Sequence, residues 1–353
     1  MSIPTLNLTV ARVLKPAELQ SCHLLAWRNM LANNPQLSSP FFSLEYTLAV
    51  SKVIPNVLIG VLEQAGTPVA FLPFEHNAGR IAKRLRLCDY QGLVSMPELV
   101  SDIRWFIRQC GLRAWDFDHL LAEQAVLTEF HRNVEMSYIM DLTNGFQVYV
   151  DDRSATGTKQ IKTSNNLGRR LEREHGPLRF ELHVEDPALL SQLLEWRSSK
   201  YRDLHHRPEV VADILRELQM AQSPSCQGTL SVLYVNDQVA ACHFGLRSSR
   251  TWHYWFPAYN PDFEKYSPGN ILLVKMAEIA PKLGITTIDL GKGEQDYKKR
   301  FANRTIPVAE GCVSASSWLS LSRNVTRGAK RYLHRTPILH TLAREIRRVA
   351  TGE

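Results

Sequence analysis

The chain has 353 residues, of which 44% are hydrophobic and 22% are charged, and it carries a net charge of +7. This composition is ordinary for a globular protein, and the absence of an apolar run of about 18 residues excludes a membrane-spanning helix. The length predicts two domains, and the N-terminus, which lacks the charged start and apolar segment of a secretion signal, predicts a cytoplasmic location.

Alternating and helical patterns of apolar residues predict the elements of the first half. In chain order they are a strand at 5–13, a helix at 16–33, a β-hairpin with its turn at Ala65-Gly66-Thr67, a helix at about 98–110 that ends at Gly111, and a strand that begins at Trp115. The hairpin is indicated by two apolar runs on either side of a glycine-containing turn.

The second half repeats this plan. It has a hairpin at 229–247 with its turn at Asn236-Asp237-Gln238, a helix at about 270–283 that ends at Gly284, and a strand at 285–289. Gly66 and Gly111 are 45 residues apart, and Asp237 and Gly284 are 47 apart. Such a repeat predicts a tandem duplication of one α/β unit. We divide the chain into domains at 1–150 and 176–321, a connector at 151–175 and a tail at 322–353.

Basic residues are concentrated in the connector and in the tail. The connector begins with turn formers and becomes a basic helix that contains Lys162. It is either a solvated linker or a positive surface for an anionic substrate or for cofactor phosphates. The tail holds eight Lys/Arg and two Glu, and so supplies +6 of the net charge. It predicts either peripheral contact with the inner membrane surface or a helix packed on the second domain.

The six cysteines are scattered without a C-x-x-C pair. This pattern argues against a zinc site and a disulfide framework, and predicts buried free thiols. We therefore expect no metal cofactor.

The segment Ser267-Pro268-Gly269-Asn270 directly precedes an apolar-periodic helix. Amides at a helix N-terminus attract phosphate, and a glycine lets backbone approach a ligand closely. The alternative is an ordinary helix start capped by Ser267 or Asn270. We interpret the segment as an anion site, because it follows a strand in an α/β repeat.

Three residues of the second half are candidates for catalysis. His243 shares a strand face with small residues, and its imidazole suits a general base, although a structural histidine is the alternative. Asp289 ends a strand where α/β sheets bind ligands, or caps the next helix. Tyr297 either packs or presents its phenol to a leaving group.

Four motifs in the second half resemble a known family. The sequences HFGLR, WFPAYNP, YSPG and DLGKGEQDYK, in this order, resemble the CelD/BcsL branch of the GNAT acyltransferases, which are related to the FemAB peptidyltransferases. The resemblance covers about residues 159–305, and the first half resembles a degenerate second GNAT-like unit. It implies an α/β fold of tandem GNAT-like domains, with mixed central sheets flanked by helices, followed here by a basic helical tail.

The resemblance also implies acyl-CoA as donor and direct transfer, in a ternary complex, to a hydroxyl or amine of a saccharide or cell-envelope precursor. The CoA pyrophosphate would lie at the 267–270 segment, which departs from the longer signature of classical GNATs. The first half has Ser95-Met96-Pro97-Glu98 at the equivalent place, without the glycine, and is not expected to bind CoA.

In this mechanism His243 is the base, with Asp289 or Glu294 as its rival, and Tyr297 protonates the thiolate. A backbone N–H of residues 251–257 would polarise the thioester carbonyl. The residues expected to bind substrate are Arg247, Tyr254, Glu294, Lys298 and Lys162.

Two other functions are open. One is a FemAB-like transferase that uses aminoacyl-tRNA, although nucleic acid is not the expected partner because no sustained heptad predicts a coiled-coil arm. The other is a non-catalytic module held at a membrane surface by the tail.

Overall fold

The computed structural model describes residues 9–97, 102–200 and 208–315, with the side chains of 198–200 excepted. These residues form fifteen strands and nine α-helices. The strands are β1 (Thr9–Leu14), β2 (Val57–Gln64), β3 (Thr67–Asn77), β4 (Ile81–Lys83), β5 (Val94–Ser95), β6 (Ala114–Leu121), β7 (His131–Asp141), β8 (Leu178–Glu181), β9 (Gln222–Ser223), β10 (Cys226–Val235), β11 (Gln238–Arg247), β12 (Thr251–His253), β13 (Phe256–Tyr259), β14 (Thr287–Lys292) and β15 (Arg304–Ser314). The helices are α1 (Ser21–Asn33), α2 (Leu44–Val53), α3 (Ile103–Gln109), α4 (Phe146–Ala155), α5 (Gln160–His175), α6 (Pro187–Lys200), α7 (Pro208–Met220), α8 (Pro268–Ile279) and α9 (Asp296–Phe301).

The predicted repeat is present in the fold. In the first half the hairpin β2–β3 is followed by β4, α3 and β6, and in the second half the hairpin β10–β11 is followed by β12, α8 and β14. The third strand and the strand after the helix pair in parallel in both halves, as β4 with β6 and as β12 with β14. Gly111 and Gly284, which follow the two helices, have φ of 70° and 76°, a left-handed conformation that glycine adopts without strain.

The two halves exchange a strand at the centre of one sheet. Its order is β1-β2-β3-β4-β6-β15-β7-β14-β12-β11-β10-β8. β15, the last described strand of the second half, lies between β6 and β7 of the first half, and β7 lies between β15 and β14. The two halves therefore share hydrogen-bonded backbone through the middle of the molecule.

Buried apolar side chains join the halves as well. One cluster combines first-half residues such as Trp27 and Phe71 with second-half residues such as Leu215 and Phe244. Two further clusters also contain residues of both halves: the one around Trp115 includes Val313 of β15, and the one around Trp252 includes Met140 of β7. The fold class expected from the sequence, tandem GNAT-like α/β units with a mixed sheet flanked by helices, is confirmed.

The structure describes the connector but not the tail. Residues 160–175 form the expected basic helix, α5, which buries Ile161 and Leu171, and the predicted boundary at residue 150 falls within α4. The tail at 322–353 lies outside the described residues, so its predicted membrane contact stays a prediction.

All six cysteines are free thiols, and Cys22 differs from expectation because it is exposed. No helix in the described part of the chain is long and apolar enough to cross a membrane.

Candidate functional site

Two neighbouring parallel strands separate in the second half and open a cleft. β12 pairs with β14 up to His253 opposite Asp289, and the Tyr254 N–H then donates to the Asp289 carbonyl at 2.8 Å. Beyond this point the chain continues as β13, which pairs with β11 instead of β14. The space between β13 and the end of β14 is therefore left open.

The equivalent space in the first half is closed by backbone hydrogen bonds. After β4 the chain returns to β6, where the Gln91 N–H donates to the His119 carbonyl at 2.8 Å and the Leu121 N–H donates to the Gln91 carbonyl at 2.9 Å. The Gln91 side chain also accepts from the Asp118 and His119 amides. The cavity that remains beside Gln91 has a volume of only about 20 Å³. As far as the described residues show, the cleft at this position is open in the second half and closed in the first.

Two adjoining cavities occupy the cleft. The first, the donor-side cavity, has a volume of about 420 Å³ and reaches the start of α8 at Gly269 and Asn270. The second, the acceptor-side cavity, has a volume of about 360 Å³ and extends to residues of the first half. Four residues line both cavities and mark their junction: Arg197, Tyr254, Pro257 and Tyr297.

The predicted anion segment contributes two of its four residues to the donor-side cavity. Gly269 and Asn270 line it, whereas Pro268 is buried and has no N–H to donate. The Ser267 N–H donates to the Glu264 carbonyl, and the Asn270 N–H donates to the Ser267 carbonyl, each at 2.9 Å. Ser267 has a left-handed backbone and makes no side-chain cap, so α8 begins without the capping bond of an ordinary helix start.

His243 is fully buried and lines neither cavity. Its Nε2 accepts the Trp255 N–H at 3.0 Å, and its ring stacks on Tyr254 with centroids 4.6 Å apart. The small neighbour Gly245 makes room for the imidazole itself, because an added Cβ would lie 2.3 Å from the ring. Burial lowers the pKa of His243 to about 3, so the ring is neutral near pH 7.

Asp289 is buried and its carboxylate is already engaged. One oxygen accepts from the Ser137 hydroxyl at 2.7 Å and the Gly291 N–H at 2.8 Å, and the other accepts from the Tyr90 hydroxyl at 2.6 Å. Tyr90 and Ser137 belong to the first half of the chain. Burial and the adjacent Asp289 charge raise the pKa of Tyr90 well above its usual value, which keeps the phenol a donor. Asp289 thus ties β14 to the first half.

The cleft brings together three of the other expected residues. Tyr254 and Tyr297 line both cavities, with ring centroids 6.5 Å apart, and the Tyr254 hydroxyl donates to the Gly269 carbonyl at 3.1 Å. Lys298 lines the acceptor-side cavity, where its Nζ donates to the Lys292 carbonyl at 2.7 Å and the Gly291 carbonyl at 3.3 Å. Burial lowers the pKa of Lys298, against the charges of two nearby aspartates.

Three expected substrate-binding residues lie outside the two cavities. Arg247 is half-buried at the end of β11, Glu294 is exposed after β14, and Lys162 is exposed on α5. Burial lowers the pKa of Arg247. The roles of these residues in substrate binding stay predictions.

The amides expected to polarise a thioester are partly unavailable. Tyr254 and Trp255 donate theirs to Asp289 and His243, and Pro257, which lines both cavities, has no N–H. The expectation is therefore wrong for these three positions, because the strand separation turns two of the amides into the protein and a proline occupies the third.

Several cavity residues were not predicted from the sequence, among them four that reach the cleft from distant parts of the chain. Arg84, Asp89 and His119 come from the first half, and Arg197 comes from α6, where its guanidinium lies 4.4 Å from the centre of the Phe256 ring. No local pattern marks them, since each reaches the cleft only through the packing of the two halves. No group of three or more His, Cys, Asp or Glu in the described ranges is placed to hold a metal ion.

The part of the chain that forms most of the cleft matches a known sequence family. Residues 158–299 match the acetyltransferase (GNAT) domain family. Among curated proteins, no sequence matches the chain.

Solved structures with the same fold have very different sequences. The C-terminal domain (DUF2156) of an Agrobacterium fabrum protein provisionally assigned as a lysylphosphatidylglycerol synthetase matches with a TM-score of 0.52 and 12% identity, over 79% of this chain and 90% of that one. FemX matches with a TM-score of 0.51 and 10% identity, over 75% and 90%. A tandem GNAT protein from the clavulanic acid biosynthesis pathway matches with a TM-score of 0.50 and 9% identity, over 87% and 99%. At these identities the similarity concerns the fold alone.

Proposed function

We propose that the protein is an acyltransferase that transfers an acyl group directly from acyl-CoA to a saccharide acceptor, since residues 158–299 match the acetyltransferase (GNAT) domain family. The observation that carries this proposal is the pair of adjoining cavities in the cleft, which meet at Tyr254 and Tyr297. A direct transfer needs both substrates bound at once with their reacting atoms in contact, and two cavities with a shared junction provide such a geometry.

The donor-side cavity is the proposed acyl-CoA site. It reaches the first turn of α8, where the positive end of the helix dipole favours a pyrophosphate, and Gly269 leaves space for its close approach. The acyl thioester would then extend along β13 to the junction. Tyr297 would protonate the departing thiolate, and its position in the lining of both cavities supports this role.

The acceptor-side cavity is the proposed saccharide site. Its lining is rich in charged and hydrogen-bonding groups, including Lys298, which suits a polar acceptor rather than an apolar one. A hydroxyl or amino group of an exopolysaccharide or cell-envelope precursor is the acceptor that the sequence resemblance implies. Such a precursor would be modified at the inner face of the cytoplasmic membrane, where the basic tail would also lie.

Calorimetric titration and a thiol-release assay test the proposal together. We expect acetyl-CoA to bind at one site per chain, and an amino-sugar acceptor to increase the release of free CoA thiol. Binding of aminoacyl-tRNA in place of acetyl-CoA would support the FemAB-like alternative instead. Absence of binding by both donors would contradict an acyltransferase of either type and leave the non-catalytic module.

A further inference from the structure

Asp89 contributes a carboxylate to the acceptor-side cavity. It lies in the segment between β4 and β5, is half-buried, and lines the cavity from the first half of the chain. Within the described residues its carboxylate makes no hydrogen bond and no ion pair. The charges of Arg84 and Lys298 act on this carboxylate, but no described group holds its oxygens by a hydrogen bond, so they are available to a ligand.

The other acids near this cavity are already engaged. Burial alone would raise the pKa of Asp118, but a hydrogen bond from His119 and the charge of Arg84 outweigh it and lower that pKa to about 2. Glu135 pairs with Lys292 at 2.9 Å, and Asp289 accepts three hydrogen bonds. Asp89 is therefore the acid best placed to receive a proton from a bound molecule.

The segment that carries Asp89 is fixed on both sides. The Arg84 guanidinium donates to the Cys88 carbonyl at 2.7 Å, and the Tyr46 hydroxyl donates to the Arg86 carbonyl at 2.7 Å. On the other side, the Tyr90 hydroxyl is held by Asp289. These bonds place the Asp89 side chain in the cavity without using its carboxylate, as a preorganised catalytic group requires.

Asp89 and Lys298 face the same small volume above Gly291. A Cβ added to Gly291 would lie 3.6 Å from the Lys298 Nζ and 4.0 Å from the Asp89 Oδ2. Gly291 has a φ of 74°, so glycine suits the backbone there and also leaves this volume empty. A carboxylate and an ammonium thus flank one position at the end of β14, in the acceptor-side cavity.

We propose that Asp89 is the general base of the reaction, and that the acceptor is an amine that also carries an anionic group. This inference rests on the proposed function. An attacking amine loses its proton to a carboxylate readily, because its nitrogen becomes strongly acidic as its bond to the carbonyl carbon forms, and it is a better nucleophile than an alcohol and so needs less help from a base. The other charged side chains of the lining are all cationic: Arg84, Arg197, Lys292 and Lys298. Such a lining attracts a phosphate or a carboxylate on the acceptor.

The neutral amine attacks the thioester carbonyl carbon, so that a carbon–nitrogen bond forms and the carbon–sulfur bond breaks. Asp89 takes the proton of the attacking nitrogen and later releases it to water. The CoA thiolate takes a proton from the Tyr297 hydroxyl, which regains one from water. The products are an amide and free CoA.

The substitution Asp89→Asn tests the assignment, with acetyl-CoA as donor and glucosamine 1-phosphate as the acceptor probe. We expect kcat to fall by about 100-fold or more, the usual range for loss of a general base. The Kd for acetyl-CoA should stay unchanged, and Asp89→Glu should recover part of the activity. Asp237→Asn, in the exposed turn between β10 and β11, is the matched control and should be fully active.

Comparison of acceptor probes tests the chemical class. We expect transfer to glucosamine 1-phosphate, weaker transfer to glucosamine, which lacks the anion, and none to glucose 1-phosphate, which lacks the amine. Full activity of Asp89→Asn, or transfer to glucose 1-phosphate but not to glucosamine 1-phosphate, would overturn the inference while the proposed function stands. Failure of the wild-type protein to bind acetyl-CoA would instead overturn the proposed function.

Discussion

His243 illustrates, at the scale of single residues, what burial does to a side chain that looks catalytic in the sequence. The alternation of β11 placed it correctly on the face with Gly245, but that face is covered by other protein groups. Its Nε2 lone pair, which a base would use, already accepts the Trp255 N–H. The geometry therefore favours a structural role in holding the point where β12 and β13 separate.

Linkage between protonation and folding gives a test of this buried state. The pKa of His243 is lowered to about 3, below the value of about 6.5 in an unfolded chain. The unfolded state then binds more protons between these values, so stability is complete above pH 6.5 and is lost as the pH falls. By pH 5 the loss from this residue should be about 2 kcal/mol.

The measurement is the free energy of unfolding by urea at pH 8 and at pH 5, for wild type and His243→Gln. We expect the glutamine variant to show a smaller loss between the two pH values. His76→Gln, at a half-buried position on β3, controls for the removal of a histidine. An equal pH dependence in wild type and His243→Gln would show that this imidazole is not buried in its neutral form.

The separation of β12 and β13 is the feature of element scale on which the site depends. Periodicity and turn residues predicted both hairpins, the helix α8 and the strand β14, because these patterns are local. The separation was not predicted, since it depends on which strand β13 pairs with. The same chain path in the first half closes through Gln91 onto β6, and no residue type marks the difference between the two outcomes.

Gly269 allows the start of α8 to be tested without disturbing the fold. An added Cβ would lie 3.8 Å from Tyr254 and Tyr259, an ordinary contact, and its φ is not in the left-handed region. The Gly269→Ala variant should therefore keep its stability within about 1 kcal/mol. The methyl group would occupy space in the donor-side cavity, so we expect the Kd for acetyl-CoA, measured by calorimetry, to rise by about 10-fold.

Gly168→Ala is the matched control for this variant. Gly168 lies inside α5, where an added Cβ would come within 3.6 Å of Ile271, and it lines neither cavity. It should bind acetyl-CoA like the wild type. If Gly269→Ala also bound like the wild type, the CoA phosphates would have to lie away from the α8 N-terminus.

At the scale of the whole molecule, the exchange of β7 and β15 joins the two halves into one sheet. The sequence predicted two similar halves, and the fold has them, but their sheets are joined because each half supplies the strand beside the other's parallel pair. This joining also brings Asp89 to the cleft of the second half. A sequence repeat contains no information about such exchange, because pairing within a half and pairing between halves use the same strand patterns.

Separate expression of residues 1–157 and 158–353 tests the consequence of the exchange. Each piece would lack one strand from the centre of the sheet and expose the edge of its neighbour. We expect neither piece to unfold cooperatively when heated alone, and co-expression to restore a cooperative transition and acetyl-CoA binding. Independent cooperative transitions of both pieces would contradict a shared core.

The location of the donor is tested most directly by hydrogen–deuterium exchange with and without saturating acetyl-CoA. We expect slower exchange in β13 and in the first turn of α8, around Gly269, and no change around Gln91, where the equivalent cleft of the first half is closed. Protection around Gln91 without protection at β13 and Gly269, or no protection anywhere at saturation, would contradict a single donor site in the second half.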